Sequence, residues 1–195
     1  MKYSIIGTGN VGSALAGQFA RAGVPVGIAN TRGPDSVREM VTQLGSSVTA
    51  QDLSDALQAD IVILAVPFRA HTAIAALSAE WGGKIIIDAM NTYGVAPEEL
   101  AGRASTDIVA SAFVNAKVVK TLNQLPARLL AQDPAEDGGR RVMFVSGNDE
   151  AATSTVAALL GSLGFSPINL GEIAKGGALI DMGGPLILKN LIKKD

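Results

Sequence analysis

Residues 3–12, Tyr-Ser-Ile-Ile-Gly-Thr-Gly-Asn-Val-Gly, carry a short apolar β-type run straight into the pattern G-x-G-x-x-G. Its glycines are Gly7, Gly9 and Gly12, and Ala16 is the small residue four further on. No other feature constrains the chain as tightly, because each position answers a steric demand. Gly7 permits a tight strand-to-helix turn. Gly9 has no Cβ to hold the backbone away from a pyrophosphate, and Gly12 lets the helix approach its strand. The helix N-terminus adds free N–H groups and the positive end of its dipole. Alone the pattern is weak, and a glycine-rich connector would also satisfy it. Here it follows a strand and opens a helical repeat, the context that dinucleotide binding requires. Thr8, Asn10 and Val11 are therefore expected, with the glycines, to meet the phosphates.

The next segment narrows the cofactor. A helix from about Asn10 to Ala22 has Val11, Leu15, Phe19 and Ala22 on one stripe and stops at Gly23. A second strand, Val24 to Ala29, ends in Asn30-Thr31-Arg32-Gly33. NAD-binding units place Asp or Glu near this strand end to bind the adenosine ribose. The nearest acid here is Asp35. A carboxylate would repel a 2′-phosphate, whereas Arg32 can pair with one through charge-assisted hydrogen bonds. Thr31 adds a hydroxyl and Asn30 an amide. The alternative is a solvated turn arginine; the expectation is NADP rather than NAD.

Strands and helices then alternate almost to the end. Further strands are expected at Ser46 to Ala50, Asp60 to Val66, Lys84 to Ala89, Lys117 to Leu122, Arg141 to Ser146 and Phe165 to Leu170. Ala70, Ile74, Leu77 and Trp81 mark one helix face, residues 97–116 one or two helices, and Asp149 caps a helix reaching about Leu163. Residues 126–132 read as a short helix followed by an exposed loop to Arg140. From Glu172 the chain is helical in places, interrupted at Gly176-Gly177 and Gly183-Gly184-Pro185. The pattern predicts an α/β fold: a doubly wound, mainly parallel sheet of about eight strands in a single domain, residues 1–195. No separate substrate domain is expected.

Composition removes several classes of function. A formal charge of −2 argues against nucleic-acid and membrane-surface binding. There is no cysteine and a single histidine, so thiolate chemistry and His-rich metal sites drop out. The longest apolar run, Ile61 to Phe68, is too short to span a bilayer, and the N-terminus enters a strand without a targeting segment. A soluble cytoplasmic protein is expected. Residues 185–192 place Leu186, Ile187, Leu188, Leu191 and Ile192 in one stretch, read as a helix more apolar than one face can bury. A homodimer is the expected consequence.

In such sheets ligands lie beyond the carboxyl ends of the strands. Besides the two turns above, those positions are Ala65-Val66-Pro67-Phe68, Ala89 to Thr92 including Asn91, and Thr121 to Ala127 including Leu125. They should line the nicotinamide, yet they offer no carboxylate–histidine pair to move a proton. His71 lies one turn beyond Pro67 and faces either the cofactor or solvent. Lys175 reads as a solvated helix end, and Asp133, Glu136 and Asp137 as a solvated acidic loop. A large planar acceptor that takes hydride directly would suit so open a face.

At Ile6-Gly-Thr-Gly-Asn-Val-Gly12, Asn30-Thr-Arg32, Ala65-Val-Pro67, Ile87-Asp-Ala-Met-Asn91 and Lys120-Thr-Leu-Asn-Gln-Leu-Pro-Ala127 the chain resembles the coenzyme F420-dependent NADP oxidoreductases. The similarity extends to Ser146-Gly-Asn-Asp-Glu150 and the final Gly-Gly-Pro-Leu. The resemblance implies a single Rossmann domain that moves hydride between NADPH and a deazaflavin or flavin (coenzyme F420, FMN or FAD). It implies that Thr8 to Val11 hold the pyrophosphate, Thr31 and Arg32 the 2′-phosphate, and that Pro67 and its neighbours, with Leu125 and Ala127, pack near the nicotinamide. Gly33, Pro34 and Asp35 follow Arg32 where a second basic residue is common. The segment after Asn123 differs enough that the deazaflavin site does not carry over. Two other expectations compete. One is an NADPH-dependent reductase of a small carbonyl or imine, polarised by Asn91, His71 or Tyr93; the other is a non-catalytic NADPH-binding module.

Overall fold

The computed structural model describes residues 1–194. In chain order the elements are β1 (Tyr3–Ile6), α1 (Asn10–Ala22), β2 (Val26–Ala29), α2 (Arg38–Leu44), β3 (Val48–Ala50), α3 (Leu53–Ala56) and β4 (Ile61–Leu64). They continue with α4 (His71–Ala75), β5 (Ile85–Asp88), α5 (Pro97–Leu100), α6 (Ser105–Ala112), β6 (Lys117–Lys120), α7 (Ala127–Leu130), β7 (Ala135–Glu136) and β8 (Gly139–Gly147). Last come α8 (Glu150–Ser162), β9 (Ser166–Asn169), α9 (Ala178–Ile180) and β10 (Ile192–Lys194).

Among the described residues ten strands form the sheet, with the path β3-β2-β1-β4-β5-β6-β8-β10. The first six on that path are parallel. β8 runs antiparallel to β6, β9 joins β8 in parallel, and β7 and β10 pair antiparallel with the start of β8. The expected doubly wound, mainly parallel sheet is present; β7 and β10 are the two strands the sequence did not suggest. Strand order reverses between β1 and β4, which places the crevice beyond Ile6 and Leu64. All four residues of β4 are buried because helices cover both faces. One core layer joins Leu15 and Phe19 of α1 to Ile5, Ile63 and Val156, and the other joins Val62 and Ile86 to Trp81 and Phe113.

Three local expectations are corrected. The helix read as running to Trp81 stops at Ala75, and the Trp81 indole packs edge-on to Phe113, donating its N–H to the Ala75 carbonyl at 3.0 Å. The exposed loop to Arg140 is instead a β7–β8 hairpin. Buried Arg141 holds it there through Glu136 at 2.6 Å. Residues 185–192 form no helix. Leu188 is left-handed at φ 62°, its N–H meets the Gln124 carbonyl at 2.7 Å, and the chain then extends into β10 beside β8. Arg141 also bonds the Asn190 side chain, so a buried guanidinium fastens this segment as an edge strand. Among the described residues no helix is long and apolar enough to cross a membrane.

Candidate functional site

The three glycines of the first turn divide into two kinds. A Cβ on Gly7, whose φ is 114°, would stand 2.1 Å from the Ala65 carbonyl oxygen, and one on Gly12 would stand 2.0 Å from that of Gly7. Both glycines are required by the protein itself. Gly9 meets nothing within 4 Å and is exposed. It is also the N-cap of the thirteen-residue α1 and supplies no side-chain cap. The helix therefore begins with uncapped N–H groups beside an open, Cβ-free surface, a fit for an anionic group. Asn10 and Thr8 flank it, with Val11 half-buried beneath.

The turn after β2 is cross-linked to this one. Asn30 donates from Nδ2 to the Thr8 and Ser36 hydroxyls, each at 2.9 Å, and its Oδ1 accepts from the Arg32 backbone N–H at 2.7 Å. Thr31 and Arg32 are exposed. Asp35, the nearest acid, is paired with Arg38. Among the described residues no carboxylate pairs with Arg32. Sequence reasoning had not seen Asn30 as a strut between two turns.

On the other side of the crevice Ala65 closes against β1, its N–H bonding Ile6 at 2.9 Å. Val66 is half-buried, Pro67 exposed, and Phe68 turns inward. Asn91 and Asn123 face each other: Asn91 donates to the Asn123 carbonyl at 2.9 Å, and Asn123 donates to the Asn91 side-chain oxygen at 3.0 Å and the Ile180 carbonyl at 2.7 Å. Buried Leu122, between β6 and this pair, has φ 65°, backbone strain of the kind that collects at sites. Leu125 is in the core with α1, and only Ala127 of the two stays partly open.

His71 does not face solvent, and its buried Nε2 has no hydrogen-bond partner among the described residues. It is buried, donates from Nδ1 to the Phe68 carbonyl at 2.5 Å, and stacks on the Phe68 ring at 4.9 Å. Tyr93 and Lys175 are exposed, with Lys175 only 3.9 Å from Glu172. Of the acidic loop, Glu136 serves Arg141. An open cleft of about 440 Å³ between Tyr3, Gln51 and Asp55 lies at the amino ends of the strands, away from the glycine turn.

One constellation escaped sequence reasoning. Asp88 and Lys120 end neighbouring strands in register and are both fully buried, 3.3 Å apart. Thr106, Ser105 and Asp181 complete the group. The sequence signal is partial: Asp88 and Lys120 are charged residues that each close an apolar strand, and only the fold sets those strands side by side.

Comparison with known proteins fits this geometry. A family model described as NADP oxidoreductase, coenzyme F420-dependent, matches residues 2–92. A hypothetical protein from Sinorhizobium meliloti is 47% identical, with a TM-score of 0.95 over 100% of this chain and 96% of that one. A candidate F420-dependent NADP reductase from Arthrobacter sp. FB24 is 34% identical, with a TM-score of 0.71 over 89% of this chain and 86% of that one. Metalloreductase STEAP3 of Rattus norvegicus is 30% identical over 175 residues, 89% of this chain. The chain spans about a third (34%) of the length of that curated relative. With its glycine turn inside the matched region and its likeness to the Arthrobacter protein running nearly end to end, the chain belongs to the coenzyme F420-dependent NADP oxidoreductase family.

Proposed function

We propose that this chain is an NADPH-dependent oxidoreductase that passes hydride between NADP(H) and a deazaflavin or flavin ring. The observation that carries the cofactor half is the turn after β2: Asn30 is consumed as a strut, and Arg32 stands exposed with no carboxylate partner among the described residues. Arg32 and Thr31 bind the 2′-phosphate, and the N–H groups at Asn10 and Val11, beside Gly9, take the pyrophosphate. Bound NADPH supplies the hydride. Pro67 and Ala127 flank the nicotinamide, and the Asn91–Asn123 pair fixes the floor beyond it. Those two amides bond each other and leave the Asn123 Oδ1 buried, His71 is buried with its Nδ1 held by Phe68, and Lys120 is buried among carboxylates. None of them is placed to carry a proton to a carbonyl or imine. A deazaflavin or flavin needs little such help, because its proton can come from water.

The test is NADPH oxidation by the pure protein with FMN, FAD, riboflavin, coenzyme F420 and a panel of small carbonyls and imines. Turnover with the tricyclic rings alone is expected. Turnover confined to carbonyls or imines, or tight NADPH binding with no turnover, overturns the acceptor reading. We also propose that the protein works in the cytoplasm as a homodimer, the second copy covering the apolar side chains that residues 179–191 leave exposed.

A further inference from the structure

Lys120 closes β6 with its side chain 1% exposed. Its ammonium lies 2.7 Å from the Met90 carbonyl, 3.3 Å from Asp88, 3.4 Å from the Ser105 hydroxyl and 3.8 Å from Asp181. Asp88 also accepts from the Thr106 hydroxyl at 2.7 Å and the Met90 N–H at 3.0 Å. Asp181 accepts from the Ser105 hydroxyl at 2.7 Å and its N–H at 3.1 Å. Burying such a group is a poor route to stability, since apolar replacements of similar volume are often as stable or more so. The cluster brings a geometric result instead.

The ammonium joins two segments that are far apart in sequence. Through the Met90 carbonyl it grips the turn that carries Asn91, and through Asp181 it grips the C-terminal segment around α9. A second link closes a ring, because Asn91 pairs with Asn123 and Asn123 reaches the carbonyl of Ile180, the residue before Asp181. The segment so held runs between Gly176-Gly177 and Gly183-Gly184, opens on a π-helical turn at Ile173–Gly177, and exposes Leu179 and Met182. Without the Asp181 contact, its glycine-bracketed backbone would have several conformations available.

We propose that Lys120 is a positioning residue which, through Asp181, docks residues 178–184 and the turn after β5 as one unit at the reaction end. Acceptor alignment depends on that docking; NADPH binding, which relies on the glycine turn and Arg32, does not. The role in turnover rests on the function proposed above, whereas the docking itself is a property of the free protein.

Asp181→Asn keeps one acceptor oxygen for Ser105 but removes the charge, and Asp181 is partly exposed, so the variant should fold. The double variant Asp88→Asn/Lys120→Met removes the buried pair together, and the Asp181 carboxylate that loses its cation is partly exposed and keeps two bonds from Ser105. Hydrogen–deuterium exchange on the free protein should quicken at residues 89–92 as well as 178–184 in both, with β1, β2 and β3 unchanged. Quickening at 178–184 alone, or at neither, overturns the coupling. With FMN or coenzyme F420 as acceptor, kcat should fall about ten- to a hundredfold, the scale of an ångström-sized misplacement, while the NADPH dissociation constant is unchanged. Unchanged kcat, or an equal loss of NADPH affinity, overturns the positioning role. A wild-type protein that oxidises no NADPH with any acceptor defeats the proposed function and with it the turnover role, and exchange still decides the docking.

Discussion

Gly9 and Gly12 lie three residues apart and should respond to substitution in opposite ways. A side chain at Gly9 meets open space, so Gly9→Val should leave thermal stability intact while abolishing NADPH binding in calorimetry. Retained binding would remove the glycine turn from the site. At Gly12 the added Cβ meets the Gly7 carbonyl at 2.0 Å. Overpacking of that kind costs about 1–3 kcal/mol, which lowers Tm by roughly 2–12 °C for a chain of this size. Arg32→Ala should weaken NADPH binding by about 10- to 100-fold, the worth of a charge-assisted hydrogen bond at roughly 1.5–3 kcal/mol. NADH binding should be unaffected; equal losses for both would make Arg32 structural. The candidate roles of these residues were legible because glycine and arginine have few jobs at a strand end. His71 was not, since one histidine at a helix start carries no sign of which way it faces. Asp88 and Lys120 were missed because their partnership exists only once β5 and β6 lie side by side.

Helix termini carry the fold's clearest electrostatics. Asp149 caps α8, accepting from the Ala152 N–H at 2.9 Å, and pairs with Lys117 at 2.9 Å. The Lys117 ammonium first, and the Ala152 N–H next, hold its carboxyl below the usual aspartate range. The folded state thus binds a proton there less readily than the unfolded chain does. The stabilisation is complete above the ordinary aspartate pKa and is lost as pH falls through the lower folded value. Urea unfolding of Asp149→Asn should show a shallower loss of stability in that acidic window than the wild type, and an unchanged slope would contradict the assignment. Gln18 of α1 donates to the Leu130 and Gln132 carbonyls at 2.5 and 2.6 Å, closing the C-terminus of α7. Gln18→Leu orphans the Leu130 carbonyl, while Arg21 still reaches that of Gln132 at 3.3 Å, and should cost about 1–3 kcal/mol in urea unfolding; a neutral result would mean that α7 closes without it. The helix whose start is the proposed phosphate site thereby also holds the element that carries Ala127. Strands and helices as a series could be read from apolar periodicity, and the Asp149 cap from its place before an apolar repeat. The C-terminal strand could not: Leu186 to Ile192 reads equally well as helix or strand, and the choice was made by Arg141 and by open hydrogen-bonding positions on β8.

For the whole molecule, the sheet's mainly parallel character followed from alternation because parallel strands need helical crossovers, while the strand order and the antiparallel additions around β8 depend on contacts across the chain. The same C-terminal region bears on assembly. Its apolar residues were expected to exceed what one helix face can bury, and as an irregular segment and edge strand they still do. Leu186 packs near Val142, Phe144 and Ile180, whereas Leu188 is 58% and Leu191 44% exposed, with Leu179 and Met182 also open. Each Leu or Met fully buried at an interface contributes roughly 1.5–3 kcal/mol, and a second copy related by a two-fold axis would cover the same side chains on both partners. Low net charge, −2, leaves little long-range repulsion between copies. Light scattering at micromolar concentration should report twice the 19.9 kDa of the chain. The double variant Leu188→Lys/Leu191→Lys should halve that mass while keeping the circular-dichroism spectrum. A wild-type monomer at that concentration, or a variant still dimeric, would rule this surface out as the interface.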